Sequence, residues 1–87
     1  VNEKVKKSNK IFNYQIKIAD FYYLNTAKIM VDRIKNELLL KNVSIQKLSQ
    51  NKYRVLVGPF TNINSLQNTY NSVQKLKFEN IEIIKND

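Results

Sequence analysis

The sequence predicts an α+β fold with the order βαββαβ: a four-stranded antiparallel sheet carrying two helices on one face, in the RNP or ferredoxin-like arrangement. Three observations lead there. Tyr14-Gln15-Ile16-Lys17-Ile18-Ala19-Asp20-Phe21 is answered by Tyr53-Arg54-Val55-Leu56-Val57-Gly58-Pro59-Phe60, each an aromatic, then β-branched residues at alternate positions, then Phe. After each copy stands an apolar stripe at three- and four-residue spacing, the mark of a helix packed on one side. After each stripe comes a short β-branched run, Val43 and Ile45 in one copy and Ile81 and Ile83 in the other. Two copies are too few for a solenoid, so strand–helix–strand given twice implies one domain with an internal pseudo-two-fold repeat.

Residues 1–11 are polar and lysine-rich and read as a linker or tail; residues 12–87 read as the folded domain. Phe12 to Ala19 alternates, with Tyr14, Ile16 and Ile18 on one face and Gln15, Lys17 and Ala19 on the other, which predicts a half-buried strand. Asp20 to Leu24 reads as an aromatic-rich turn. Asn25 is the expected N-cap of the first helix, whose stripe is Ala27, Met30, Val31, Ile34, Leu38 and Lys41, widened by Leu39 and Leu40. Asn42 is the expected stop, because Asn tolerates the left-handed conformation. Val43 and Ile45 open the second strand, with Leu48 on the opposite face or past a bulge, and Ser49 to Asn51 make a hairpin turn. In the third strand, Lys52 to Val57, Tyr53, Val55 and Val57 face the core, and Gly58-Pro59 is expected to end the strand. Asn64 is the expected cap of a second helix with the stripe Leu66, Tyr70, Val73 and Leu76; Ile81 to Ile84 form the last strand. Strands one and three are central neighbours in this scheme.

An 87-residue chain holds one domain with a thin core. It has no Cys, hence no disulfide framework and no thiolate chemistry, and no His, the commonest general base and metal ligand. No Gly-rich phosphate loop or metal-ligand cluster is present, so neither catalysis, nor a metal, nor a cofactor is expected. Fifteen Lys and Arg against seven Asp and Glu give a net charge of +8, which favours anionic partners. No apolar run approaches the roughly 20 residues of a membrane span, so no membrane contact by this segment is expected. The chain starts at Val1, and a longer parent protein bearing any export signal or anchor is expected.

The face left open by the helices carries Gln15, Lys17 and Ala19 beside Lys52, Arg54 and Leu56. Its centre is polar and basic, as suits a binding platform. Lys17 and Arg54 emerge together there, and a guanidinium can hold a carboxylate through two hydrogen bonds. Tyr14, Tyr53, Phe21 and Phe60 read as core packing. Tyr22 and Tyr23 lie in a loop, and an exposed aromatic beside a basic face can stack on a sugar ring or a base.

Ile16-Lys17-Ile18-Ala19-Asp20-Phe21, then Asn25-Thr26-Ala27, then Tyr53-Arg54-Val55-Leu56-Val57-Gly58-Pro59-Phe60 resembles the SPOR domain family. The family's V-Q-V-G-S-F stands on its first strand, N-A at its first helix and Y-R-V-x-V-G-P-F on its third strand, so the likeness spans about residues 12 to 85. It implies a non-catalytic, monomeric module of the bacterial cell envelope or periplasm. Such a module binds peptidoglycan glycan strands stripped of stem peptides and localises a larger protein to the division septum. By position the resemblance carries Lys17, Asp20, Lys52 and Arg54 into the binding face; of these only Arg54 keeps the family residue. The alternative is an RNA-binding domain of the same strand order. Such domains display aromatics on the open face of strands one and three, where this chain has Gln15, Lys17, Ala19, Lys52, Arg54 and Leu56.

Overall fold

A computed structural model describes residues 11–86. The lysine-rich tail lies outside the described residues except for Ile11, which belongs to no regular element. The chain folds as β1 (Tyr14–Phe21), α1 (Leu24–Leu38), β2 (Val43–Ser49), β3 (Lys52–Phe60), α2 (Ile63–Gln74) and β4 (Glu82–Lys85). The strands form one antiparallel sheet in the order β2-β3-β1-β4, so the two repeated segments are the central pair. Ile16 and Ile18 of β1 and Val55 and Val57 of β3 meet Ala27, Val31 and Ile34 of α1 and Leu66 and Val73 of α2. Full burial of such side chains contributes roughly 1.5–3 kcal/mol each. Tyr14, Phe21 and Tyr53 pack against this core from its margin, and Phe60 is buried in it.

Several boundaries differ from the sequence expectation, each for a local reason. β1 begins at Tyr14 rather than Phe12 and runs on through Asp20 to Phe21, because β3 pairs with it to the end, Asp20 with Arg54 and Phe21 with Tyr53. β3 likewise continues through Gly58 and Pro59 to Phe60, with a cis peptide bond between the two. Gly58 has φ +129°, and a Cβ there would meet the Phe60 ring at 3.1 Å and the Gln15 Cα at 3.3 Å, so any side chain at this position is strained and crowded. Tyr23, not Asn25, stands at the N-cap of α1, where its carbonyl accepts from the Thr26 hydroxyl and the Ala27 N–H. α1 stops at Leu38 because Leu39, not Asn42, takes the left-handed conformation at φ 56°; Lys41 therefore falls beyond the helix and Leu39 points into solvent. Asn62, not Asn64, caps α2: its side-chain oxygen accepts from the N–H groups of Asn64 and Ser65. Leu76 lies past the end of α2, and β4 is Glu82–Lys85 rather than Ile81–Ile84. In the β2–β3 hairpin a register shift falls at Leu48, between Lys47 and Ser49.

One irregularity decides the composition of the open face. Lys17 pairs with Leu56 and Ala19 with Val55, so β1 spends one extra residue, Ile18, against β3. A bulge of this kind resets the alternation. Ile18 and Ala19 both contribute to the core side, and Asp20 moves to the open side. Ala19 thus leaves the face expected of it, and Asp20 sits in the sheet instead of in a turn.

Candidate functional site

The register arranges the open face in rows. Gln46 of β2, Arg54 of β3 and Asp20 of β1 form one; Ser44, Leu56, Lys17 and Glu82 of β4 form the next; Gln15 and Ile84 lie beyond. Leu56 is only 3 % exposed, so the middle of this face is apolar and packed rather than solvated.

The first row holds the main polar feature. Arg54 Nε donates to Asp20 Oδ1 at 2.8 Å and Arg54 Nη2 donates to Asp20 Oδ2 at 3.0 Å, a bidentate fork on two half-buried side chains. Lys52 Nζ approaches Asp20 Oδ2 at 3.8 Å from a more exposed position. The Arg54 hydrogen bond, with the charges of Arg54, Lys17 and Lys52, holds the Asp20 carboxyl below its ordinary pKa against the opposing effect of partial burial. The same hydrogen bond raises Arg54 above its ordinary value. In the second row Lys17 Nζ lies 3.2 Å from Glu82 Oε1.

The structure therefore brings Asp20, Lys52 and Arg54 together and sets Lys17 one row away. It also changes their expected roles. The fork of Arg54, expected for a ligand carboxylate, already grips the protein's own Asp20, and Lys17 is paired with Glu82. Gln15 shares the face but stands a further row along, half-buried and across from Ile84. Tyr22 and Tyr23 stand off the sheet in the β1–α1 connection, 75 % and 72 % exposed, so both meet solvent. Because Phe21 pairs with Tyr53, they emerge at the Lys52 end of the sheet.

Sequence reading missed Glu82. Only the β1–β4 register puts it across from Lys17, and nothing in the local pattern of Glu82-Ile83-Ile84-Lys85 marks it. Among the described residues no group of three or more His, Cys, Asp and Glu could hold a metal ion, and no helix is long and apolar enough to cross a membrane.

No family model matches the chain, and no curated protein or solved structure matches it at a significant level. The residues of the face and the motifs that carry the resemblance are thus what bear on function.

Proposed function

We propose that this domain binds the glycan strands of peptidoglycan, favours strands stripped of stem peptides, and has no catalysis of its own. As in the SPOR domains it resembles, it would act by localisation, holding a larger envelope protein at the division septum. The observation that carries the reading is the Arg54–Asp20 fork on the open face of the central strand pair. Such a pair offers donors and acceptors fixed side by side. Two guanidinium hydrogens go to Asp20; the others, and the remaining carboxylate lone pairs, suit the adjacent hydroxyls of a sugar.

The role of the cations follows from this pairing. A glycan strand freed of peptide exposes the lactyl carboxylate of muramic acid. Lys52, the more exposed cation of the cluster, supplies the ammonium for it, and Arg54 and Asp20 hold neutral hydroxyls. Tyr22 and Tyr23, at the same end of the sheet, provide ring faces for stacking. RNA is the weaker reading, because Ser44, Gln46, Arg54, Leu56, Gln15, Lys17, Asp20, Glu82 and Ile84 on the open face include no aromatic on which a base could stack.

The test is retention on purified sacculi with and without amidase treatment, beside single-stranded RNA, across a salt series. Stronger retention on amidase-treated sacculi supports the proposal. Equal retention on every anionic surface, with a steep loss as salt rises, overturns it in favour of general cation behaviour.

A further inference from the structure

β4 pairs with β1 only from Tyr14 to Lys17, whereas β3 accompanies β1 to Phe21. From Ile18 to Phe21, therefore, β1 has no strand on its β4 side among the described residues. The α2–β4 connection runs beside this free edge and leaves a cleft of about 380 Å³. One wall is β1 from Lys17 to Asp20; the other is Phe78, Glu79 and Asn80. That volume lies toward the lower end of the roughly 300–1,000 Å³ typical of small-ligand sites.

The lining selects a chemistry. Asn80 offers an amide donor and acceptor, Glu79 offers carboxylate acceptors, and Phe78 offers a ring. Arg33 of α1 stands over that ring with its Cζ 5.4 Å from the centroid, which steadies the loop from the helix side. The two charges from β1 are already balanced, Lys17 by Glu82 and Asp20 by Arg54, and Glu79 adds a carboxylate that disfavours an anionic occupant. A neutral ligand with hydroxyls fits. The free strand edge adds a further requirement, because backbone N–H and C=O groups without a strand neighbour are completed best by another amide. An acetamido group is such an amide, carried on a sugar.

We infer that the cleft between the free edge of β1 and the Phe78–Asn80 loop is a subsite for one neutral N-acetylated hexosamine ring. The identity of the ligand rests on the glycan function proposed above; the position and neutrality of the subsite rest on the cleft. Asp20 belongs to both the cleft and the open face, so a strand could continue from one to the other. In this arrangement the face reads the acidic sugar through Lys52, and the cleft reads the neutral one through its acetamido group.

The test is amide NMR of the 87-residue chain with chitotetraose, a neutral chain of N-acetylglucosamine, and with cellotetraose, which has the same backbone without acetamido groups. Chitotetraose is expected to shift the amides of Ile18, Glu79 and Asn80, and cellotetraose to leave them in place. Asn80→Ala, in an exposed loop, is expected to weaken chitotetraose binding about tenfold with the core resonances unmoved. The inference is overturned if chitotetraose spares those amides, if cellotetraose shifts them equally, or if Asn80→Ala binds like wild type. Amidase-treated glycan then separates the two proposals. If it still shifts Arg54 and Lys52, only the subsite is wrong; if it shifts neither, the glycan function falls as well.

Discussion

Arg54 on β3 and Asp20 on β1 face each other across the central strand pair and share two hydrogen bonds, of 2.8 Å and 3.0 Å. The pair joins the two halves of the internal repeat at the point where they differ in charge. It is also where the consequences of single changes are easiest to foresee.

Arg54→Ala removes both hydrogen bonds and leaves the half-buried Asp20 carboxylate with only the charges of Lys52 and, a row away, Lys17. A loss of about 1–3 kcal/mol is expected, since hydrogen bonds to charged groups contribute in this range. The helix-covered cluster of Ile16, Ile18, Val55 and Val57 lies on the other side of the sheet, so the fold persists. Glycan retention should fall well below wild type. Arg54→Lys, which keeps the charge but not the planar fork, should recover only part of it. Urea titration and sacculus pull-down on the same samples check both; retention by Arg54→Ala equal to wild type would falsify the site.

Asp20→Asn releases the guanidinium from its internal carboxylate and raises the net charge of the face by one. The variant should hold anionic polymers, RNA included, more tightly than wild type, with a steeper dependence on salt. Its preference for amidase-treated over untreated sacculi should shrink. Binding isotherms at two salt concentrations measure this, and an unchanged salt slope would show that Asp20 does not set the charge of the site.

The pH dependence has a definite sign. Asp20 titrates below its ordinary value of 3.8 in the folded domain, because Arg54 hydrogen-bonds its charged form. The unfolded chain then binds more protons than the folded one in that range. The stability contributed by the pair is complete above the ordinary carboxylate range and is lost as pH falls through the depressed value. The stability gap between wild type and Asp20→Asn should therefore be widest near neutrality and close in acid. Denaturation midpoints at pH 7 and pH 3 decide it; a gap that widens in acid contradicts the assignment.

Gly58→Ala should cost more than about 1 kcal/mol. The backbone there has φ +129°, and the new Cβ would press on the Phe60 ring at 3.1 Å and on the β1 backbone at 3.3 Å. Ile16→Ala, at a site with no exposure between both helices and the sheet, should cost about 2–5 kcal/mol and threaten folding of so small a domain. Thermal melts of the two variants, with Ile16→Val as a mild control near 0.5–1.5 kcal/mol, test whether the core lies where the packing puts it.

Much of the architecture was legible because each element carries its own period. Ile16, Ile18, Val55 and Val57 mark two strands by alternation, and Ala27, Val31, Ile34 and then Leu66, Val73 mark two helices. The caps were less legible. Asn62 and Asn64 both precede an apolar stripe, and only the hydrogen bonds to Asn64 and Ser65 single out Asn62. The site was half legible: Lys52 and Arg54 follow from alternation in β3, but Asp20 reaches the face through a bulge and Glu82 through pairing with an edge strand.

By itself, then, the sequence determined the fold class, the central position of the repeated strands and the face the helices cover, because alternation and helical periodicity are local properties written residue by residue. Only the tertiary structure decided what the open face is. A strand slips by one residue at Ile18 only against a partner, and a guanidinium finds a carboxylate only after the strands have met. Those two events, with the pairing of β4 at the edge, turn a face that reads as basic into one where Arg54 and Lys17 are matched by Asp20 and Glu82.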